Sequence, residues 1–220
     1  MNVCIVTVYN SENCGSFWQA YALGKYIEMM GHNVTYLKRS CIGTSHDIRK
    51  TIEFSVKAIV KGRIGRVRRY IRTYRSFEKA IQNFPVREDI ESDVDYVICG
   101  SDTIWELSDS YFYRKRNIYW GNTAPKGVKK VSYAPSIANT MENVFEEEKE
   151  FLSCLDTFSG ISVRDDYSYE TLKKYTKNEM DVVCDPTLLM DKSFYENFIT
   201  QKVHQQFLLV YWFGIIPNSV

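Results

Sequence analysis

Short apolar runs that alternate with helix-patterned stretches limit what this chain can fold into more than any other feature. "VCIVTV" (Val3–Val8), "NVTYLK" (Asn33–Lys38), "YVICG" (Tyr96–Gly100), "KKVSYAPSI" (Lys129–Ile137), "GISVR" (Gly160–Arg164) and "MDVVCDP" (Met180–Pro186) each read as a strand. Strands this apolar are buried on both faces, as parallel strands covered by helices are. Phe17–Met30 predicts a helix with Trp18, Ala22, Tyr26 and Met29 or Met30 on one face, stopped by Gly31. Further helical patterns cover roughly Arg49–Asn83, interrupted by Gly62 and Gly65, then Glu142–Leu155 and the stretch near Tyr167–Tyr175. Glu146, Glu147, Glu148 and Glu150 give the Glu142–Leu155 helix an acidic face.

The expected class is α/β, a Rossmann-like parallel sheet flanked by helices over residues 1–190. Asp191–Thr200 reads as a connecting helix within a 191–205 connector. "QFLLVYWFGII" (Gln206–Ile216) is another buried-strand pattern. It looks like the first strand of a second, truncated domain, residues 206–220. A net charge of +1 over 220 residues leaves no strong overall field, so any electrostatic preference must be local. Cys4, Cys99 and Cys184 lie in or at the end of apolar runs, where a reduced thiol behaves as a small hydrophobe. There is no CxxC pair, and His32, His46 and His204 are far apart, which argues against a zinc site. With no leader pattern and no apolar run of the ~20 residues a membrane span needs, the expectation is a reducing, cytoplasmic protein.

In an open α/β sheet, ligands bind beyond the carboxyl ends of the strands. The residues to weigh there are the Tyr9–Gly15 loop, Ser101 and Asp102, Ser136, Arg164–Asp165–Asp166, and Asp185–Pro186. The opening loop allows two readings. A helix N-terminus carries unpaired N–H groups and about half a positive charge, and Gly15 lets backbone approach an anion closely. Alternatively Asn10, Ser11 or Asn13 simply caps the helix.

At this loop a family resemblance enters. "NSENCGSFWQAYAL" resembles the opening motif of the polysaccharide pyruvyl transferase family, in which an N-x-G turn leads into an L-Q-A-Y-A-L-type helix. "GHNV" is similar to its helix-to-strand turn, "YVICGSDTIW" to its G-S-D-Q-I-W motif, and "KKVSYAPSI" to its strand ending in Y-A-x-S. "ISVRDDYSYETLKKY" and "VVCDPTLLMD" resemble its S-V-R-(D/E) and D-P-T-L-L segments. Thr103 stands where glutamine is usual, Glu106 where asparagine is common, and Trp18 in place of a smaller aliphatic residue. The first two departures lie beside the expected site and bear on acceptor specificity.

The resemblance implies the first domain of a GT-B-like two-domain architecture with the site in the cleft between domains. It implies transfer of a pyruvyl ketal from phosphoenolpyruvate to two sugar hydroxyls of a cell-surface polysaccharide or its lipid-linked precursor, with release of phosphate. Arginine suits the donor's phosphate and carboxylate, and Arg164 is the expected anchor, with Asn13 and Gly15 beside it. Asp102 and Asp185 are the expected catalytic carboxylates. Acceptor contacts are expected from Ser101, Asp102, Trp105 and Ser136. No resident cofactor or metal is expected, only phosphoenolpyruvate as donor. The catalytic histidine is expected in the second half. The other functions that remain open are a non-catalytic sugar- or nucleotide-binding half-domain, a truncated remnant, and a GT-B-like glycosyltransferase.

"SVKAIVKGRIGRVRRYIRTYRS" (Ser55–Ser76) is rich in Lys and Arg and holds no acidic residue. Val56, Ile59, Val60, Ile64, Val67, Ile71 and Tyr74 recur at helical spacing, which predicts an apolar face docked on the protein and cations facing out. Such a surface suits peripheral contact with an anionic membrane. The rest of the chain is not basic and no nucleic-acid module accompanies the run, so nucleic acid is not expected.

Overall fold

Strand β1 (Asn2–Val6) takes a parallel neighbour on each side, β2 (Asn33–Leu37) and β4 (Tyr96–Cys99). Short β3 (Val86–Arg87) extends β2, and β5 (Lys129–Ser132) extends β4, giving a five-stranded sheet of order β3-β2-β1-β4-β5. A separate parallel pair, β6 (Ile161–Val163) and β7 (Met180–Val182), meets β5 through one bridge, Val131 to Gly160. The computed structural model describes residues 1–11, 13–40, 64–199 and 206–208. They divide between two units, Met1–Met190 and Asp191–Val220.

Alternation along β1 explains why its run is apolar throughout. Val3 and Ile5 join Val34, Tyr36 and residues of α1 (Cys14–Met29) in one core, while Cys4 and Val6 join Val97, Cys99, Trp105 and Trp120 in another. Both faces of the central strand are therefore covered, as expected for a parallel sheet. Burial in the second core lifts the Cys4 thiol to about 11, against a small opposing pull from Arg87. Cys184 departs from its expectation. It is exposed, because β7 ends at Val182 and the chain has already left the sheet.

The buried face of α1 shares Ala22 with the predicted one and otherwise differs from it. It consists of Ser16, Gln19, Ala20, Ala22, Leu23, Gly24 and Ile27, whereas Trp18 is half-buried and Met29 is 74% exposed. Small residues face the sheet because helix and strand approach closely there. The Tyr36 hydroxyl donates to the Ala20 carbonyl at 2.8 Å, and a Cβ at Gly24 would lie 1.9 Å from that oxygen. The aromatic residues pack sideways instead: Phe17 stacks on Tyr21 and meets Phe84 edge-on.

Helix α2 (Ile64–Ile81) runs through Gly65, and Phe77 meets Phe17 edge-on at 6.3 Å. The predicted helical pattern upstream, with Val56, Ile59 and Val60, lies outside the described residues. Ile71, expected on the docked face, is exposed. Short helices α3 (Ser110–Arg114) and α4 (Arg116–Tyr119) follow β4. The predicted Glu142–Leu155 helix is divided into α5 (Glu142–Glu147), α6 (Lys149–Leu152) and a 3-10 turn, Ser153–Thr157. Glu146 and Glu148 accept from Tyr175 and Tyr113 hydroxyls, so part of the acidic face is turned toward the protein. Helix α7 (Asp166–Leu172) leads to β7.

In the second unit, α8 (Lys192–Glu196) is capped by the Asp191 carboxylate, which accepts from the Phe194 N–H at 3.0 Å. Residues 206–208 have no regular structure, and the remainder of the predicted Gln206–Ile216 strand lies outside the described residues. Among the described residues no helix is long and apolar enough to cross a membrane, and no cluster of His, Cys, Asp and Glu could hold a metal ion.

Candidate active site

The strand order reverses between β1 and β4, since β2 and β3 lie on one side of β1 and β4 and β5 on the other. A crevice forms at the carboxyl ends of strands at such a reversal. Here the crevice wall is held by a buried amide. The Gln19 side chain donates to Thr7 Oγ1 at 3.1 Å, to the Val8 carbonyl at 2.9 Å and to the Ser16 carbonyl at 2.8 Å. Its Oε1 accepts from the Ser101 hydroxyl at 2.9 Å. Thr7 in turn donates to the Ser101 carbonyl at 3.0 Å, and its own carbonyl accepts from Ser40 at 2.8 Å. Helix α1, the end of β1, the end of β2 and the loop after β4 are thus tied at one point.

That loop is conformationally demanding. Gly100 has a φ of 126°, and a Cβ there would lie 2.2 Å from the Tyr133 carbonyl oxygen. Asp102 has a φ of 76°, and Ala134 and Ala138 have φ of 53° and 50°. Among the described residues these three are the non-glycine positions with positive φ, and all belong to the same edge. Such conformations cost of order 1–3 kcal/mol each and cluster at functional sites. Ser136 donates its N–H to the Asp102 carbonyl at 2.9 Å, and Arg164 donates its N–H to the Pro135 carbonyl at 3.1 Å. The edge is therefore continuous from β1 across β4 and β5 to β6.

A sequence profile of the polysaccharide pyruvyl transferase family matches residues 13–216. The chain belongs to that family. Searches among curated proteins and solved structures return no match. Apart from "GHNV", which leads into the amino end of β2, the motifs that resemble those of the pyruvyl transferases meet along the edge just described, although they are far apart in sequence.

Of the expected residues, Ser101, Asp102, Ser136, Arg164 and Asp185 all follow strand ends on this edge. Ser101 is fully buried, with its hydroxyl spent on Gln19, so it supports the wall and offers no acceptor contact. Ser136 is 4% exposed. Its hydroxyl accepts from the Ala138 N–H at 3.0 Å and bonds the Asp165 carboxylate. Trp105, expected to touch the acceptor, does not line the crevice. It is fully buried, stacked on Trp120 at 4.4 Å, with its indole N–H donated to the Tyr119 carbonyl. At the opening loop, Asn13 caps α1 by accepting from the Gly15 N–H at 2.9 Å. The capping reading of that loop thus describes its geometry.

Arg164 reaches Asp185 through one contact of 3.3 Å, with both side chains a little over a quarter exposed. A guanidinium has five N–H donors, so most of its fork is left to face a ligand. The second oxygen of Asp185 accepts from the Thr187 N–H and hydroxyl, at 3.0 and 2.7 Å. Asp165 serves as the N-cap of α7, accepting from the Ser168 N–H and hydroxyl at 2.8 Å each. Burial pushes the Asp165 carboxyl up, but the hydrogen bonds from Ser136 and Ser168 outweigh it and hold the group below its ordinary range. Glu106 goes the other way, raised chiefly by burial against the bond from Ser108. Tyr133 is raised by burial first, then by neighbouring Cys184 and Asp185.

A concavity of about 340 Å³ lies beyond the ends of β1 and β2, lined by Tyr9, Asn10, Lys38, Glu78 and Val86 among others. Its lysine is paired with Glu88. A positive charge already matched in this way is a poorer anion anchor than the open fork of Arg164. Gln19 and Thr7 are the residues that sequence reasoning missed, while Asp165, weighed as a strand-end carboxylate, serves as a helix cap. The one available signal was Gln19, a lone amide in the "FWQAYAL" helix.

Proposed function

We propose that this edge binds phosphoenolpyruvate through Arg164 and presents its enolpyruvyl unit to two hydroxyls of a sugar in a cell-surface polysaccharide or lipid-linked precursor. The observation that carries the reading is Arg164, a half-buried guanidinium at a strand end with one weak partner and a fork suited to phosphate or carboxylate. The reaction needs a base for the hydroxyl proton and an acid for the methylene carbon, and it releases phosphate. Asp102, held by its own turn through the Thr103 N–H at 2.8 Å, is the carboxylate proposed as base. Asp185, occupied on one oxygen by Thr187 and on the other by Arg164, is proposed to orient the arginine and not to accept the proton. Asn13 and Gly15 shape the approach to the donor as a capped turn. In a GT-B-like arrangement, the opposite wall of the cleft comes from a second Rossmann-like domain.

The test is thermal melting of the protein with phosphoenolpyruvate and, separately, with nucleotide-sugars. A ligand at one hundred times its Kd stabilises the folded state by about 2.7 kcal/mol. Stabilisation by phosphoenolpyruvate that disappears in Arg164→Gln is the expected result. Stabilisation by a nucleotide-sugar alone would instead make the protein a glycosyltransferase of similar architecture.

A further inference from the structure

The outward face of α2 carries a separate feature. Arg68, Arg72, Arg75 and Lys79 follow one another at spacings of four, three and four residues, which places them in a single stripe about 16 Å long. All four are exposed, and none has an ion pair among the described residues. Exposed Ile71 flanks the stripe, three residues after Arg68 and four before Arg75. The acidic residue of the helix, Glu78, is segregated: it lines the cavity that also contains Tyr9 and Asn10. Phe77, packed on Phe17, fixes which side of the helix faces the protein.

We propose that this face docks the protein on an anionic lipid surface, with Arg68, Arg72, Arg75 and Lys79 on the headgroups and Ile71 entering beside them. Two observations favour lipid over a soluble polyanion. The stripe is flanked on one side by an exposed aliphatic side chain, which phosphate groups alone would not reward. The cations also follow one straight helix face, which suits a plane. Docked in this way, α2 keeps Glu78 and Ile81, which line the Tyr9–Asn10 cavity, at the protein side of the contact. A lipid-linked acceptor would then be held close to the crevice. The docking itself does not depend on the donor assigned above.

Co-sedimentation with vesicles tests this on the full chain. Vesicles of phosphatidylcholine and phosphatidylglycerol in equal parts should pellet the protein, phosphatidylcholine alone should not, and raised salt should release it. Each single Arg→Gln change on the stripe should weaken binding about five-fold. Replacing all three arginines by lysine should preserve binding, and Ile71→Ser should weaken it without altering binding to inorganic polyphosphate. Equal binding to neutral vesicles, or unchanged binding by the protein with Arg68, Arg72, Arg75 and Lys79 all replaced by glutamine, would overturn the proposal. Binding to polyphosphate with no pelleting on anionic vesicles would assign the stripe to a soluble polyanion instead.

Discussion

Where the carboxyl edge crosses β1 and β4 it is assembled from buried, mutually satisfied groups. Where it crosses β5, β6 and β7 it is joined by part-buried serine side chains across a divided sheet. On the first side, β1 and β4 share a regular ladder, and Gln19, Thr7 and Ser101 close over it through direct hydrogen bonds. On the second, the ladder between β5 and β6 reduces to one bridge, and two serines continue it. Ser162 donates its N–H to the Ser132 hydroxyl at 3.0 Å and its own hydroxyl to the Ser132 carbonyl at 2.9 Å. The Ser132 hydroxyl donates to the Ser162 carbonyl, also at 2.9 Å. The difference separates two tasks. The tied half is a scaffold that fixes the crevice wall. The half joined by hydroxyls carries Arg164, the guanidinium proposed to hold the donor, with Asp185 beside it.

Substitutions ordered by the stability they should cost can break that contrast. Gly100→Ala comes first. Its Cβ would sit 2.2 Å from backbone at a positive φ, so a loss of about 3–5 kcal/mol is expected, read as failure to give a cooperative thermal transition. Gln19→Leu should cost about 2–3 kcal/mol in urea denaturation, because the Ser101 hydroxyl and two carbonyls lose their partner in a buried place. A cost under 1 kcal/mol would mean the scaffold half is not held as described.

Ser132→Ala or Ser162→Ala should cost about 1 kcal/mol each, and less than the sum together, since the two residues share their bonds. Amide exchange should quicken in β6 and β7 while β1 and β4 stay protected. Arg164→Gln should change stability by less than about 1 kcal/mol, as befits a partly exposed pair, while abolishing any stabilisation by phosphoenolpyruvate.

The smallest effect concerns pH. The Asp165 carboxyl is held below its ordinary range in the folded protein, so its contribution is present above the unfolded value of about 3.9 and is lost as pH falls through the folded one. Compared with Asp165→Asn, the natural protein should lose more stability on acidification below about pH 4. Parallel melting curves of the two across that range would show no divergence if the cap is inert.

The central strands were legible because burial on both faces leaves an unbroken apolar run, as in Val3–Val8 and Tyr96–Cys99. Strand β3 was not, since two residues carry no period. The buried face of α1 does not follow hydrophobic size. Close approach to the sheet instead selects Ala20, Gly24 and a bonded glutamine, and sends Trp18 to the flank. The site showed the same limit. Arg164, Asp102 and Asp185 could be picked out as strand-end charges, but residue type alone could not reveal that Ser101 and Trp105 point inward. Their roles follow from partners, Gln19 and Trp120, that are distant in sequence.

The stacked indoles give the molecule an optical signature. Trp105 and Trp120 lie 4.4 Å apart at 16° in a fully buried site, close enough for their electronic transitions to couple. A strong near-ultraviolet circular dichroism band should therefore report on this packing and vanish when it loosens. Trp105 also donates its backbone N–H to the Ser136 carbonyl, three residues beyond Asp102. Movement of the Asp102 loop is thus registered by a chromophore that is already present, and occupancy of the crevice can be followed without attaching a label.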